Sequence, residues 1–76
     1  MTVADIFIKK DATVKQLIEL HDRMEALYGP VANVNILTYG SVLTITIDAG
    51  VFVSNIEIHE AADDLDWIIS DIVRRQ

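Results

Sequence analysis

The sequence predicts an α+β fold in which two helices cover one face of an antiparallel sheet. Three observations predict it: an amphipathic stretch with start and stop signals, three β-rich runs separated by glycine-containing turns, and a closing stretch with helical spacing of aliphatic residues. The expected element order is β-α-β-β-β-α, with the strands in a meander. With 76 residues and no cysteine, the chain is expected to be one small acidic domain, residues 1–76, without disulfides.

The chain opens with a predicted strand over residues 3–9. This stretch is rich in β-branched and aromatic residues, and its even-numbered positions share one side of a strand. Thr2 and Asp5 also have the spacing of a helix cap, so a short helix is the alternative.

A helix is expected to follow Thr13. Thr13 and Gln16 have the capping-box spacing, and the Gly29-Pro30 pair is a stop signal. The helix has one broad apolar face, which is expected to pack on the sheet and consists of Val14, Leu17, Ile18, Leu20, Met24, Leu27 and Tyr28.

Three strands are expected over residues 32–40, 41–49 and 51–59, because glycine-containing turns separate these runs. Alternation places the following residues on the face that the helices cover: Leu43, Ile45, Ile47, Ile56 and Ile58. The opposite face is nearly uncharged, and its candidate interface residues are Leu37, Tyr39, Val42, Thr44, Thr46 and Val53. Either a homodimer forms across this face or the face is simply solvated.

The second helix is expected from residue 60 to about residue 74. Its aliphatic arc, which should face the sheet, consists of Ala61, Ala62, Leu65, Ile68, Ile69, Ile72 and Val73. Trp67 falls opposite this arc, and the candidate partner-binding residues around it are Glu60, Asp63, Asp64, Asp66 and Asp71. The indole is expected either to be an exposed binding anchor or to fold back over a neighbouring element.

The placement of charge limits the class of partner. The net charge is −6, and no Lys or Arg occurs between Met24 and Val73. A surface of this sign repels phosphates and attracts basic groups, so direct binding of nucleic acid is not expected. The expected partner is a protein with a basic surface.

The sequence contains no recognisable catalytic or metal-binding motif. His21 has Glu25 one turn away, but no Ser, Cys or second His stands near it to complete a catalytic or metal site, so a structural role is expected. The acids of residues 60–71 lack the spacing and glycine of a calcium loop. No enzyme activity, metal or cofactor is therefore expected. No signal peptide or apolar run of membrane-spanning length is present, which predicts a cytoplasmic protein without a membrane partner.

Two functions remain. The first is a small acidic inhibitor or decoy that imitates nucleic acid and occludes a basic surface of its partner, as phage anti-defence proteins of the anti-CRISPR type do. The alternative is an adaptor, immunity or antitoxin-like module that binds through the sheet face. The predicted order also resembles the double-stranded-RNA-binding domain in outline. That family needs basic residues where this chain has Glu60, Asp63 and Asp64, which argues against RNA binding.

Overall fold

The computed structural model describes residues 2–75, which form a four-stranded antiparallel sheet and two helices. The strands are β1 (Thr2–Ile8), β2 (Ala32–Tyr39), β3 (Val42–Ala49) and β4 (Ile69–Arg75). The helices are α1 (Val14–Tyr28) and α2 (Asn55–Ala62), and a 3-10 helix (Asp63–Ile68) connects α2 to β4. Both helices pack on the same side of the sheet, so the predicted α+β class with its antiparallel sheet is confirmed.

The strand order in the sheet is β2-β3-β1-β4, and every neighbouring pair is antiparallel. The first strand therefore lies inside the sheet, with β2 and β4 at the two edges. A β-α-β-β-α-β chain with this arrangement has the split β-α-β topology of ferredoxin-like domains. Folds of this kind host many unrelated functions, so the topology alone assigns none.

The first strand is confirmed as a strand rather than a short helix. In its register Ile6 lies opposite Ile45 of β3 on one side and Ile72 of β4 on the other. The side chains of Ala4, Ile6 and Ile8 are buried on the helix side of the sheet. Asp5 lies between them in sequence and therefore points to the opposite face.

The capping signals of α1 are confirmed. The Thr13 hydroxyl accepts a hydrogen bond from the Gln16 amide at 3.1 Å, and the Gln16 side chain accepts one from the Thr13 amide at 2.9 Å. Gly29 ends the helix, where a β-carbon would clash with the Glu25 carbonyl. The buried residues of α1 are Leu17, Leu20, Met24 and Tyr28.

The predicted apolar face of α1 is wider than its contact with the core. Val14 is 70% exposed, Ile18 48% and Leu27 39%. The prediction that these three residues are buried is therefore wrong. The reason is geometric: α1 lies near the β2 edge of the sheet, and only the middle of its apolar arc meets the sheet and α2.

The predicted order of the last two elements is also wrong. Residues 51–59 do not form a strand and residues 60–74 do not form a helix; a loop, α2, the 3-10 helix and β4 replace them. Ile58, Ala62 and Leu65 have helical spacing and are all buried. The final residues instead pair with β1, whose outer backbone groups need partners.

This change of structure relocates several predicted positions. Val53 was expected on the open face of the sheet, but it lies in the core because its segment is a loop that turns inward before α2. Ile56 was expected in the core, but it lies on the solvent side of α2 and is 70% exposed. Leu43 shares the helix side of the sheet with Ile45, yet it is exposed because it lies at the end of β3 where the helices give little cover.

The core is the layer between the sheet and the two helices. Its largest fully buried side chains are Ile6, Leu20, Met24, Ile45, Ile47, Ile58, Ile68 and Val53. Within residues 2–75, neither helix has the length and apolar character that crossing a lipid bilayer requires.

Candidate interaction surfaces

The first candidate surface is the open face, which we define as the side of the sheet away from the helices. The register places the odd-numbered residues of β1 and β2 on it, together with the even-numbered residues of β3 and with Asp71, Val73 and Arg75 of β4. Both helices pack on the other side. The open face is therefore the one broad side of the sheet that no helix of residues 2–75 covers.

An ion pair lies at the centre of the open face. The Arg75 Nε atom is 2.7 Å from the Asp5 Oδ2 atom, and Arg75 Nη2 is 3.2 Å from Asp5 Oδ1. The Thr46 hydroxyl donates to Asp5 Oδ1 at 2.8 Å. The Asp5 residue is only 3% exposed, so its carboxylate has already exchanged water for these protein donors.

The Asp5 carboxyl is held in its ionised form. Burial acts to raise the pKa of Asp5, but the hydrogen bonds from Arg75 and Thr46 and the positive charge of Arg75 together outweigh burial, and the pKa is lowered. A charged group that is already compensated inside the fold needs no further partner from a binding protein.

Apolar and aromatic side chains surround this ion pair. The rings of Phe7 and Tyr39 lie 6.5 Å apart between centroids, and Arg75 Nη2 lies 3.4 Å from the Tyr39 hydroxyl. Leu37, Tyr39 and Val73 are exposed, whereas Phe7 and Val42 are half-buried. We call these five residues the apolar patch.

The predicted sheet-face residues are only partly available for contact. Leu37, Tyr39 and Val42 belong to the apolar patch. Thr44 and Thr46 lie on the open face by register, but both are buried, and their hydroxyls donate to the Leu37 carbonyl and to Asp5. Sequence reasoning missed the Asp5–Arg75 pair. Its one local signal was an aspartate inside an otherwise apolar strand.

The second set of predicted binding residues consists of Trp67 and the acids that were expected to surround it. Trp67 lies in the 3-10 helix and is 45% exposed. The acids do not follow one rigid helix, because Glu60 is in α2, Asp63 begins the 3-10 helix and Asp71 is in β4. The expectation of a continuous acidic helix is wrong for this reason.

Several of these acids are engaged within the fold. Arg23 Nη1 donates to Asp64 Oδ1 at 2.8 Å, and this hydrogen bond is the main cause of the lowered pKa of Asp64. Asp66 contacts the imidazole of His59. Asp71 accepts a hydrogen bond from the Ile72 amide at 2.8 Å. Among residues 2–75, the side chains of Glu60 and Asp63 make no such bond.

Exposed apolar residues also occur around the start of α2. Phe52 is 74% exposed, and the Arg74 guanidinium lies 5.6 Å from the centroid of its ring. Val51 and Ile56 are exposed nearby in sequence. Sequence reasoning missed this cluster because it assigned the segment to a strand, although Ser54 and Glu57 have the spacing of a helix start.

The histidines have structural contacts. His21 Nε2 lies 3.1 Å from the Val34 carbonyl and therefore donates to it, while its Nδ1 lies 3.3 Å from Asp22 Oδ1. His21 thus joins α1 to the edge strand β2, in agreement with the structural role expected for it. Within the part of the chain that the structure describes, no three His, Cys, Asp or Glu side chains are grouped to hold a metal ion.

Comparisons of the chain with protein-family models, with curated proteins and with solved structures found no match. The chemistry of these surfaces is therefore the basis on which a function is proposed. All four strands contribute to the open face, where the fold brings together an ion pair, two aromatic rings and the exposed aliphatic side chains of Leu37 and Val73.

Proposed function

We propose that this domain is a protein-interaction module that binds a partner protein through its open face and acts by binding rather than by catalysis. The observation that supports the proposal is the apolar patch, which places Leu37, Tyr39 and Val73 in solvent beside the Asp5–Arg75 pair. Contiguous exposed apolar surface of this kind marks interaction sites.

The energetics favour association through the apolar patch. Each Å² of apolar surface removed from water contributes about 25 cal/mol, and aromatic residues supply most of the binding energy in many interfaces. The Asp5 carboxylate does not oppose binding strongly, because folding has already desolvated it and supplied its hydrogen-bond donors. The partner therefore needs to cover apolar area and not to neutralise a buried charge.

The rim of the open face indicates the chemistry of the partner. Asp48 and Asp71 are exposed on this side of the sheet. A partner with an apolar centre and Lys or Arg residues around it would meet both the patch and these carboxylates. Rim charges of this kind act mainly on the association rate and on specificity.

Paired substitutions test which surface binds. Leu37→Asp places a charge in the apolar patch, and we expect it to abolish capture of the partner. Ile56→Asp is the matched control, because it puts the same change at an exposed aliphatic residue on α2. Circular dichroism establishes that both variants fold. Capture that survives Leu37→Asp but not Ile56→Asp would place the binding surface at α2 instead.

A second candidate function is the acidic decoy, an inhibitor of the anti-defence type that covers a basic, nucleic-acid-binding surface of its partner. The observation that favours it is the exposed Trp67, with Glu60 and Asp63 making no side-chain hydrogen bond within residues 2–75. Charge-led binding would weaken steeply with salt and would be lost in a Glu60→Lys/Asp63→Lys variant. Binding through the open face would tolerate both changes.

A further inference from the structure

We propose that two copies of this chain associate through their β2 strands, which pair antiparallel about a two-fold axis and join two four-stranded sheets into one continuous sheet. The two α1 helices would then lie side by side on the same face of that sheet. This inference goes beyond the proposed function, because it uses the edge of the sheet and leaves the open face accessible.

The sequence of β2 makes it an unprotected edge. Its eight residues, Ala32 to Tyr39, include no charged residue and no proline. Natural proteins usually protect edge strands with charges, prolines or bulges. The opposite edge has such protection, because β4 carries Asp71, Arg74 and Arg75 and its pairing with β1 contains a register shift.

The outward backbone groups of β2 can be identified from two hydrogen bonds. The Leu37 carbonyl accepts from Thr44 of β3 and therefore points into the sheet. The Val34 carbonyl accepts from His21 of α1 and points away from β3. Because backbone groups alternate along a strand, the even-numbered residues 32–38 present their N–H and C=O groups at the edge. A carbonyl oxygen has two lone pairs, so the bond from His21 still leaves Val34 able to pair.

The flank of α1 that borders this edge is apolar. Val14, Ile18 and His21 recur at helical spacing on one side of α1, and His21 fixes that side against β2. Val14 and Ile18 are two of the three α1 residues that were predicted to be buried but are exposed. Ile36 of β2 is also exposed on the helix side of the sheet. An unpaired strand and an apolar helix flank thus form one surface.

Charge complementarity identifies a second copy as the occupant. Around the two-fold axis the α1 helices run antiparallel, so Lys15 of one copy lies opposite Asp22 of the other when the axis passes near Ile18. Both residues are exposed, and both lie next to the apolar flank. Because His21 is level with Val34, the same axis passes close to Asn35 of β2. A single two-fold axis can therefore relate both the α1 helices and the β2 strands of the two copies.

Analytical ultracentrifugation across a concentration series tests the proposal directly. The wild-type chain is expected to form a dimer. Asn35→Lys would bring two ammonium groups together across the axis and raise the dimer dissociation constant at least about tenfold. Ser70→Lys on the β4 edge is the matched control, since Ser70 is also exposed on an edge strand, and it should leave the constant unchanged. A wild-type chain that stays monomeric, or a dimer that Asn35→Lys does not weaken, would overturn the proposal.

A charge swap and a cross-link test the orientation of the two copies. Lys15→Glu should weaken the dimer, and Lys15→Glu/Asp22→Lys should restore it. Because the chain has no cysteine, Asn35→Cys should form a disulfide-linked dimer on mild oxidation, and Ser70→Cys should not. Cross-linking through residue 70 alone, or a charge swap that fails to restore association, would contradict pairing through β2.

Discussion

At the scale of single residues, Asp63 is the position where the backbone is most constrained. It is the one non-glycine residue within residues 2–75 with a positive φ, at 49°, and its ψ is −115°. This conformation ends α2 and redirects the chain into the 3-10 helix. Side chains with a β-carbon are disfavoured there, whereas glycine adopts it readily.

We expect Asp63→Gly to raise the free energy of unfolding by about 1 kcal/mol, because relief of strain exceeds the added entropy of the unfolded chain. Asp63→Ala keeps the β-carbon and should give no such gain. Urea denaturation of both variants measures the difference. Destabilisation by glycine relative to alanine would show that the Asp63 backbone is not strained in this way.

A second prediction at residue scale concerns acid pH and Asp5. Its folded-state pKa is lowered, so the ionised carboxylate stabilises the fold. This contribution is fully present above the unfolded-state pKa of about 3.9 and is lost as the pH falls through the folded-state value. Asp5→Asn should cost about 2 kcal/mol at neutral pH and should remove part of the loss of stability below about pH 4.

The control for this prediction is Asp48→Asn, an exposed aspartate on the same side of the sheet. Thermal unfolding over a pH series compares the two variants with the wild type. Equal pH profiles for Asp5→Asn and the wild type would mean that the Asp5–Arg75 pair does not contribute to stability.

At the scale of elements, the sequence correctly predicted the caps and turns that depend on interactions between neighbouring residues. The cap at Thr13, the stop at Gly29 and the turn at Gly40, whose φ is 63°, are all present as expected. The end of the chain depends on a distant strand instead. Residues 69–75 form β4 because β1 offers backbone partners more than sixty positions earlier in the sequence, as the pairing of Val3 with Arg75 shows.

The alternation of Ile56 and Ile58 explains the wrong strand prediction. Both residues fit one side of a strand, but in α2 only Ile58 faces the core, and Ile56 faces solvent. The Ser54 and Glu57 spacing was the local evidence for a helix, and it competed with the β-branched residues before it.

Two alanine variants therefore distinguish the helix from the predicted strand. Ile58→Ala should lower the free energy of unfolding by about 2–5 kcal/mol, because it leaves a cavity in the core. Ile56→Ala should change it by less than about 0.5 kcal/mol, as surface substitutions generally do. Equal losses measured by chemical denaturation would favour a strand that buries both residues.

At the scale of the whole molecule, the sequence predicted the charge distribution but not the surface that displays it. The acidic stretch was visible as an absence of Lys and Arg, yet its carboxylates are divided among α2, the 3-10 helix and β4. The open face could not be assembled from sequence, because it joins Asp5 to Arg75 and Phe7 to Tyr39 across the sheet. Three residues of the predicted sheet-face set, Leu37, Tyr39 and Val42, do reach its surface.

Partner binding through the open face and dimerisation through β2 are compatible with each other. Dimerisation through β2 would place two open faces side by side on one continuous sheet, and the Leu37 and Tyr39 side chains of each copy would lie near the junction. A partner could then contact both copies. Each proposal can nevertheless be disproved without the other, because dimerisation depends on the edge of β2 and partner binding depends on the open face.

Site-specific photo-crosslinking in cells that naturally make the protein identifies the binding surface directly. A photoreactive side chain at Leu37 samples the open face, and one at Glu60 samples the exposed acidic residues at the end of α2. If the partner binds through the open face, position 37 gives a discrete adduct with another protein and position 60 gives none. An adduct from position 60 alone, or none from position 37, would contradict binding through the open face.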